Sequence, residues 1–97
     1  RARAHYQRAL ELGPNNPDAH YAYGSFLCRQ RQYAEADTEF QKALSNPLYA
    51  TPWVAMTNAG NCAVSAGNGS KAEDYYKSSI SARPDFGPPL VKLAELR

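Results

Sequence analysis

The sequence predicts an all-α fold, a solenoid of stacked helix pairs, and three observations carry that prediction. A small-x3-aromatic-x2-small segment occurs three times, as Ala2-x3-Tyr6-x2-Ala9, Ala36-x3-Phe40-x2-Ala43 and Ala72-x3-Tyr76-x2-Ser79, at steps of 34 and 36 residues. Gly24 precedes Ala36 by 12 residues, as Gly60 precedes Ala72, and Pro14 and Pro84 follow the first and third copies at equal distances. Between these marks, apolar and small residues recur at helical spacing and strand signals are absent. A fixed period in this range means supersecondary units that bury their apolar faces on one another. It also biases function toward holding a partner.

Each element follows from local chemistry. Residues 1–12 read as a helix closed by Gly13-Pro14-Asn15-Asn16. Pro17-Asp18 opens the next, with Pro in the first turn where its missing N–H costs little, and that helix runs to about Arg31. Tyr33-Ala34-Glu35-Ala36 starts a third, ending near Asn46-Pro47. A fourth runs from about Pro52 to Ala66, before a Gly67-Asn68-Gly69-Ser70 turn. Ser70 is the expected N-cap of the fifth, with Glu73 three residues on completing a capping box. That helix ends near Arg83-Pro84-Asp85, and a sixth begins around 87–89. Helix pairs divide near 13–16, 46–52 and 84–87. The units are then 1–16 (second helix of a partial repeat), 17–50, 51–86 with a two-residue insertion, and 87–97 (first helix of another). The chain begins and stops inside repeats, so it is expected to be a piece of a longer solenoid.

Composition excludes several classes. Eleven basic and nine acidic side chains give a net charge of +2, and only Arg1, Arg3 and Arg8 cluster. No basic stripe suits nucleic acid, and no apolar run approaches the roughly 18 residues of a membrane span. The seven tyrosines lack the strands or basic groove of a base-stacking platform. There is no nucleophile–base pair, phosphate loop or paired carboxylates beyond Glu35 and Glu39, which read as solvated. His5 and His20 show no ligand spacing to either cysteine, so no metal or cofactor is expected, and no catalytic residue. Asn68-Gly69-Ser70 matches a glycosylation sequon but reads as an inter-helix turn.

The units resemble tetratricopeptide repeats, which follow W-x2-L-G-x2-Y, then A-x3-F, then P. The second reads His20-x2-Tyr23-Gly24-x2-Leu27, then Tyr33, Ala36, Phe40 and Ala43; the third reads Met56-x2-Ala59-Gly60-x2-Ala63, then Gly67, Ala72, Tyr76 and Pro84. The leading Trp is missing from both. Leu90, Leu93 and Ala94 stand at the matching positions of a fourth. The resemblance implies a right-handed stack in which Gly24 and Gly60 let paired helices approach while Phe40 and Tyr76 fill the wedge. Finer features are the helix Tyr23-Gly24-Ser25-Phe26-Leu27-Cys28, the join Asn46-Pro47-Leu48-Tyr49-Ala50-Thr51-Pro52 and the helix segment Asn58-Ala59-Gly60-Asn61-Cys62. In this order they are similar to the type IV pilus biogenesis and stability lipoproteins, the PilF/PilW-type pilotins, over about residues 14–90. That likeness implies a protein held by an N-terminal lipid at the periplasmic face of the outer membrane. It also implies a protein partner, the pilus secretin, whose localisation or assembly it assists. The lipid-bearing Cys and signal peptide of that family are not in this sequence.

In repeat geometry the concave face takes first-helix positions 2, 5, 9, 12 and 13. These are Asp18, Tyr21, Ser25, Cys28 and Arg29 in one unit, and Val54, Thr57, Asn61, Val64 and Ser65 in the next. Tyr21, Ser25, Arg29, Thr57 and Asn61 are the expected partner-binding residues, with Tyr21 and Arg29 foremost because Tyr and Arg dominate interface hot spots. Each could instead be merely solvated. Trp53 is expected to cover Leu48 and Tyr49 of the insertion, or else to anchor a partner. Two other functions stand beside the pilus scaffold. A chaperone-type adaptor clamping a C-terminal carboxylate needs Lys and Asn at positions 5 and 9, where Tyr21 and Ser25 stand; a repeat arm of a larger enzyme would need a catalytic domain elsewhere.

Cys28 and Cys62 fall at positions 12 and 10 of successive first helices, which run side by side in a repeat stack. In an exported protein that favours a disulfide, stabilising by about 3–4 kcal/mol in the chain-entropy model. The alternative is two buried thiols acting as small hydrophobes. Thiol titration of the unfolded, unreduced protein made under oxidising conditions is expected to find no free thiol; two reactive thiols would favour the second reading.

Overall fold

The computed structural model describes residues 2–96; Arg1 and Arg97, the outermost residues of the first and last expected helices, lie outside them. Six helices and no strand occur among the described residues: α1 Ala2–Leu12, α2 Pro17–Arg29, α3 Tyr33–Leu44, α4 Pro52–Ser65, α5 Gly69–Ala82 and α6 Gly87–Leu96. They form two compact units, one ending at Ala50 and one starting at Thr51.

The first unit is built on α2. Asn16 caps it, its Oδ1 accepting from the Asp18 and Ala19 backbone N–H groups at 3.0 and 3.3 Å, while Pro17 and Asp18 occupy the first turn. These are residues suited to a helix N-terminus, where N–H groups are unsatisfied and the dipole favours an acid. At the other end Gln32 N–H reaches Leu27 O (2.9 Å) and Arg31 N–H reaches Cys28 O (3.0 Å). This is a Schellman turn, and its left-handed position is filled by Arg31 at φ 63°. α2 and α3 then pack face to face. Leu27, Ala36, Phe40 and Ala43 are all 0–1% exposed. A Cβ on Gly24 would lie 3.0 Å from the Phe40 ring and 3.2 Å from Ala36 O, tighter than a Cβ normally packs, so any larger residue would make the ring give by a few tenths of an ångström. α1 closes the other side of α2 through rings: Tyr6 stacks on Tyr23 at 5.9 Å and meets Phe26 at 5.2 Å. Arg3 ties the polar ends, donating to Tyr23 Oη (2.9 Å) and to Glu35 (3.0 Å). The insertion folds as a turn on Asn46, whose Oδ1 accepts from Leu48 N–H (2.9 Å) and whose Nδ2 donates to Asn15 O (3.0 Å). Tyr49 is buried, but Leu48 is 88% exposed, so nothing covers Leu48 as the sequence led us to expect.

The second unit repeats the plan with different chemistry. Gly67, φ 79°, holds the Schellman position of α4, with Asn68 N–H on Ala63 O (2.8 Å) and Gly67 N–H on Val64 O (2.9 Å). Asn68, not Ser70, is the N-cap of α5, accepting from Lys71 N–H at 3.1 Å. The turn is shorter than a Ser70 cap requires because one residue in the left-handed region already reverses the chain, so Gly69 begins the helix. Ala63, Ala72 and Tyr76 form a buried cluster against which Leu93 of α6 packs. Ser79 sits at a fully buried small position, and its hydroxyl is satisfied by Trp53 O and Thr57 Oγ1, both at 2.8 Å. Among the described residues no buried side-chain nitrogen or oxygen lacks a hydrogen-bond partner. The Arg83 guanidinium lies 4.8 Å over the Trp53 ring and bonds Asp85 at 3.2 Å.

Here the glycine constraint is tighter. A Cβ on Gly60 would sit 2.5 to 3.0 Å from three atoms of the Tyr76 ring, which is 1% exposed and tied by its hydroxyl to Asn61 Oδ1. Overpacking of this kind costs about 1–3 kcal/mol, against a helix-propensity gain of up to about 1 kcal/mol for Gly→Ala. Gly60→Ala is therefore expected to lower the unfolding free energy by about 1–2 kcal/mol and Gly24→Ala by clearly less, read from urea unfolding. Equal losses would show that ring contact does not set the spacing.

Candidate functional site

The eight residues that the repeat pattern assigns to a binding face, leaving aside Asp18 and Cys28, do not all reach solvent. On α2, Tyr21 and Ser25 are half-buried and Arg29 is exposed. The Tyr21 ring lies 6.1 Å from Phe40, tilted, so its position is set by the α2–α3 core. On α4, Val64 and Ser65 are exposed and Val54 and Asn61 half-buried. Thr57 is 6% exposed, and its hydroxyl is committed to Trp53 O and Ser79 Oγ, both at 2.8 Å. It is a core hydrogen-bonding residue, which corrects its expected place among the partner contacts. Neither Cys28 nor Cys62 is a free thiol.

In the second unit, Asn61, Val64 and Ser65 of α4 share an open groove of about 470 Å³ with Tyr76 of α5 and Lys92, Glu95 and Leu96 of α6. Tyr76 forms its floor, donating to Asn61 Oδ1 at 2.6 Å. Burial, and to a lesser degree the Glu95 charge, pushes the Tyr76 phenol up, so it stays neutral and donating at physiological pH. Lys92 and Glu95 stand 3.9 Å apart on the rim, and Val64 and Leu96 supply apolar surface, 45% and 37% exposed. This mixture suits the backbone and side chains of a peptide. Among the described residues no three His, Cys, Asp or Glu side chains are grouped to hold a metal, and no helix is long and apolar enough to cross a membrane.

A second polar cavity, about 610 Å³, opens in the first unit between Pro14, Asn15, His20, Lys42, Ser45 and Asn46. His20 is its fixed point. Nε2 lies 2.7 Å from the Pro14 carbonyl, which can only accept, so Nε2 donates. Nδ1 lies 2.7 Å from Glu39 Oε1, and Lys42 Nζ reaches the other Glu39 oxygen at 3.3 Å. His20 and Glu39 are 8% and 6% exposed, which corrects the expectation of a solvated Glu39; Glu35 is exposed, paired with Arg3. The pair fastens the α1–α2 loop to α3. The available signal was His20 at the position where the repeat pattern has Trp: a polar ring in an apolar slot requires a polar partner.

The tetratricopeptide-repeat family model matches residues 5–38. An uncharacterized protein of Haemophilus influenzae is 34% identical over 75 residues, covering 77% of this chain and 40% of that protein. The crystal structure of PilW, a widely conserved type IV pilus biogenesis factor, is similar with a TM-score of 0.86 at 38% identity, over 94% of this chain and 42% of that one. The N-terminal domain of stress-induced protein-1 (STI-1) from C. elegans is similar with a TM-score of 0.81 at 26% identity, over 96% and 76% of the two chains. This chain thus spans less than half the length of the Haemophilus protein and of PilW. The matched repeat model over residues 5–38, the six helices and their glycine–aromatic packing give the chain a tetratricopeptide-repeat fold, with a strong structural likeness to PilW.

Proposed function

We propose that this chain is the interaction scaffold of a type IV pilus pilotin. In this reading it holds a segment of the secretin, at the periplasmic face of the outer membrane, and assists the secretin's localisation or assembly. A lipid on an N-terminal segment outside these residues tethers it. The observation that carries the reading is the likeness to PilW, at 38% identity over 94% of the chain. Two features agree with it. Neither cysteine is a free thiol, as suits an oxidising compartment such as the periplasm, where a Cys28–Cys62 disulfide would persist. The groove on α4 and α6 offers donors and apolar surface of the kind a peptide needs.

The likeness to the STI-1 domain favours a second reading, an adaptor for a peptide of another partner. A carboxylate clamp is a poor version of it, because Tyr21 and Ser25 stand at positions 5 and 9 of one unit and a buried Thr57 at position 5 of the next.

The test expresses the intact lipoprotein with single substitutions and follows secretin multimers and surface pili, alongside binding of the secretin segment. Tyr21→Ala and Arg29→Ala are each expected to cost about 1–2 kcal/mol of binding, while changes at exposed Gln41 and Lys77 on the second helices cost little. Normal multimers in a strain lacking the protein would sink the assignment. Multimers that need the protein but tolerate the α2 changes would move the binding face elsewhere.

A further inference from the structure

The cations of this protein are not equivalent. Arg3, Arg8, Lys42, Lys77, Arg83 and Lys92 each lie within 4 Å of a carboxylate, and Lys71 also has a partner. Among the described residues Arg29 and Arg31 have no acidic partner, and both are exposed at one place, the end of α2 and the turn into α3. The helix dipole accounts for a cation at Arg29, in the last turn. It does not account for Arg31. That residue sits at φ 63°, the left-handed position that glycine fills in the matching turn after α4, and a non-glycine there is strained. The turn is otherwise the same, with the same two hydrogen bonds, so its geometry alone calls for glycine rather than a guanidinium.

We infer that the α2–α3 corner, through Arg29 and Arg31, receives the carboxylates of an acidic peptide segment of the protein's partner. The inference rests on the peptide-binding reading above and adds the chemistry of what is bound. Guanidinium groups suit the task because their planar forks pair with carboxylates bidentately. The neighbouring Gln30 and Gln32 add no competing acid. Glu35, the nearest carboxylate along α3, is engaged by Arg3.

The test is an NMR titration of the purified protein with the peptide Ac-(Ala-Glu)5-NH2, with Ac-(Ala-Gln)5-NH2 and phosphatidylglycerol vesicles as comparisons. Shifts are expected at residues 28–33 with the acidic peptide alone, weakening as salt screens the charges. The double variant R29Q/R31Q is expected to weaken binding about tenfold, and R8Q to leave it unchanged. R31G, which relieves the left-handed strain and keeps the fold, is expected to weaken binding while raising the melting temperature. Equal binding of the two peptides, equal loss in R8Q, unchanged binding in R31G, or capture by the vesicles without peptide binding would each overturn the inference. Because the titration uses purified protein, its failure sinks this inference alone; failure of the pilotin reading is seen in the strain lacking the protein.

Discussion

The close approach of a glycine to a buried aromatic ring, once in each unit, is the constraint on which the rest of the structure depends. Gly24 faces Phe40 with barely the space for a methyl group between them, and Gly60 faces Tyr76 with none. A helix pair held at that distance buries its small residues completely, as at Ala36, Ala43 and Ala72. It also fixes what the opposite faces present. Tyr21 owes its position to the Phe40 ring of α3, 6.1 Å away, and Asn61 owes its orientation to the phenol of Tyr76. One ring in the second unit thus serves both as packing wedge and as floor of the groove.

The two units solve the same packing problem with unequal polarity. The first inserts a His20–Glu39 pair where the repeat pattern has an indole; the second places Thr57 and Ser79 hydroxyls against a backbone carbonyl. Each network is fully satisfied, which is why burial is tolerated: a hydroxyl or imidazole stripped of water without a partner costs several times what its hydrogen bond contributes. The turns divide similarly. Both end the first helix with one left-handed residue, relaxed as Gly67 and strained as Arg31.

Much of the fold was legible in the residues because it is set by short spacings. Gly24 to Ala36 and Gly60 to Ala72 mark the helix crossings, and the Pro and Gly breaks mark the turns. What escaped was set by contacts distant in sequence or by backbone geometry. Glu39 looked solvated because its partner lies 19 residues away on another helix. Thr57 looked accessible because repeat position 5 usually is; Ser79 in an alanine slot was the sign that a hydroxyl must turn inward to meet it. Ser70 looked like a cap because its sequence context fits a capping box, yet Gly67 reverses the chain early and leaves Asn68 in that role. Three weak motifs read together pointed toward the pilus proteins, and the chain is similar to PilW over 94% of its length.

The most direct test of the central constraint is a double-mutant cycle between Gly60→Ala and Tyr76→Leu, measured by equilibrium unfolding. If the ring sets the helix spacing, shrinking it removes the clash, and the double variant should be less destabilised than the sum of the single variants by at least about 1 kcal/mol. Strict additivity would mean that the two residues do not share the space between α4 and α5, and would contradict the account.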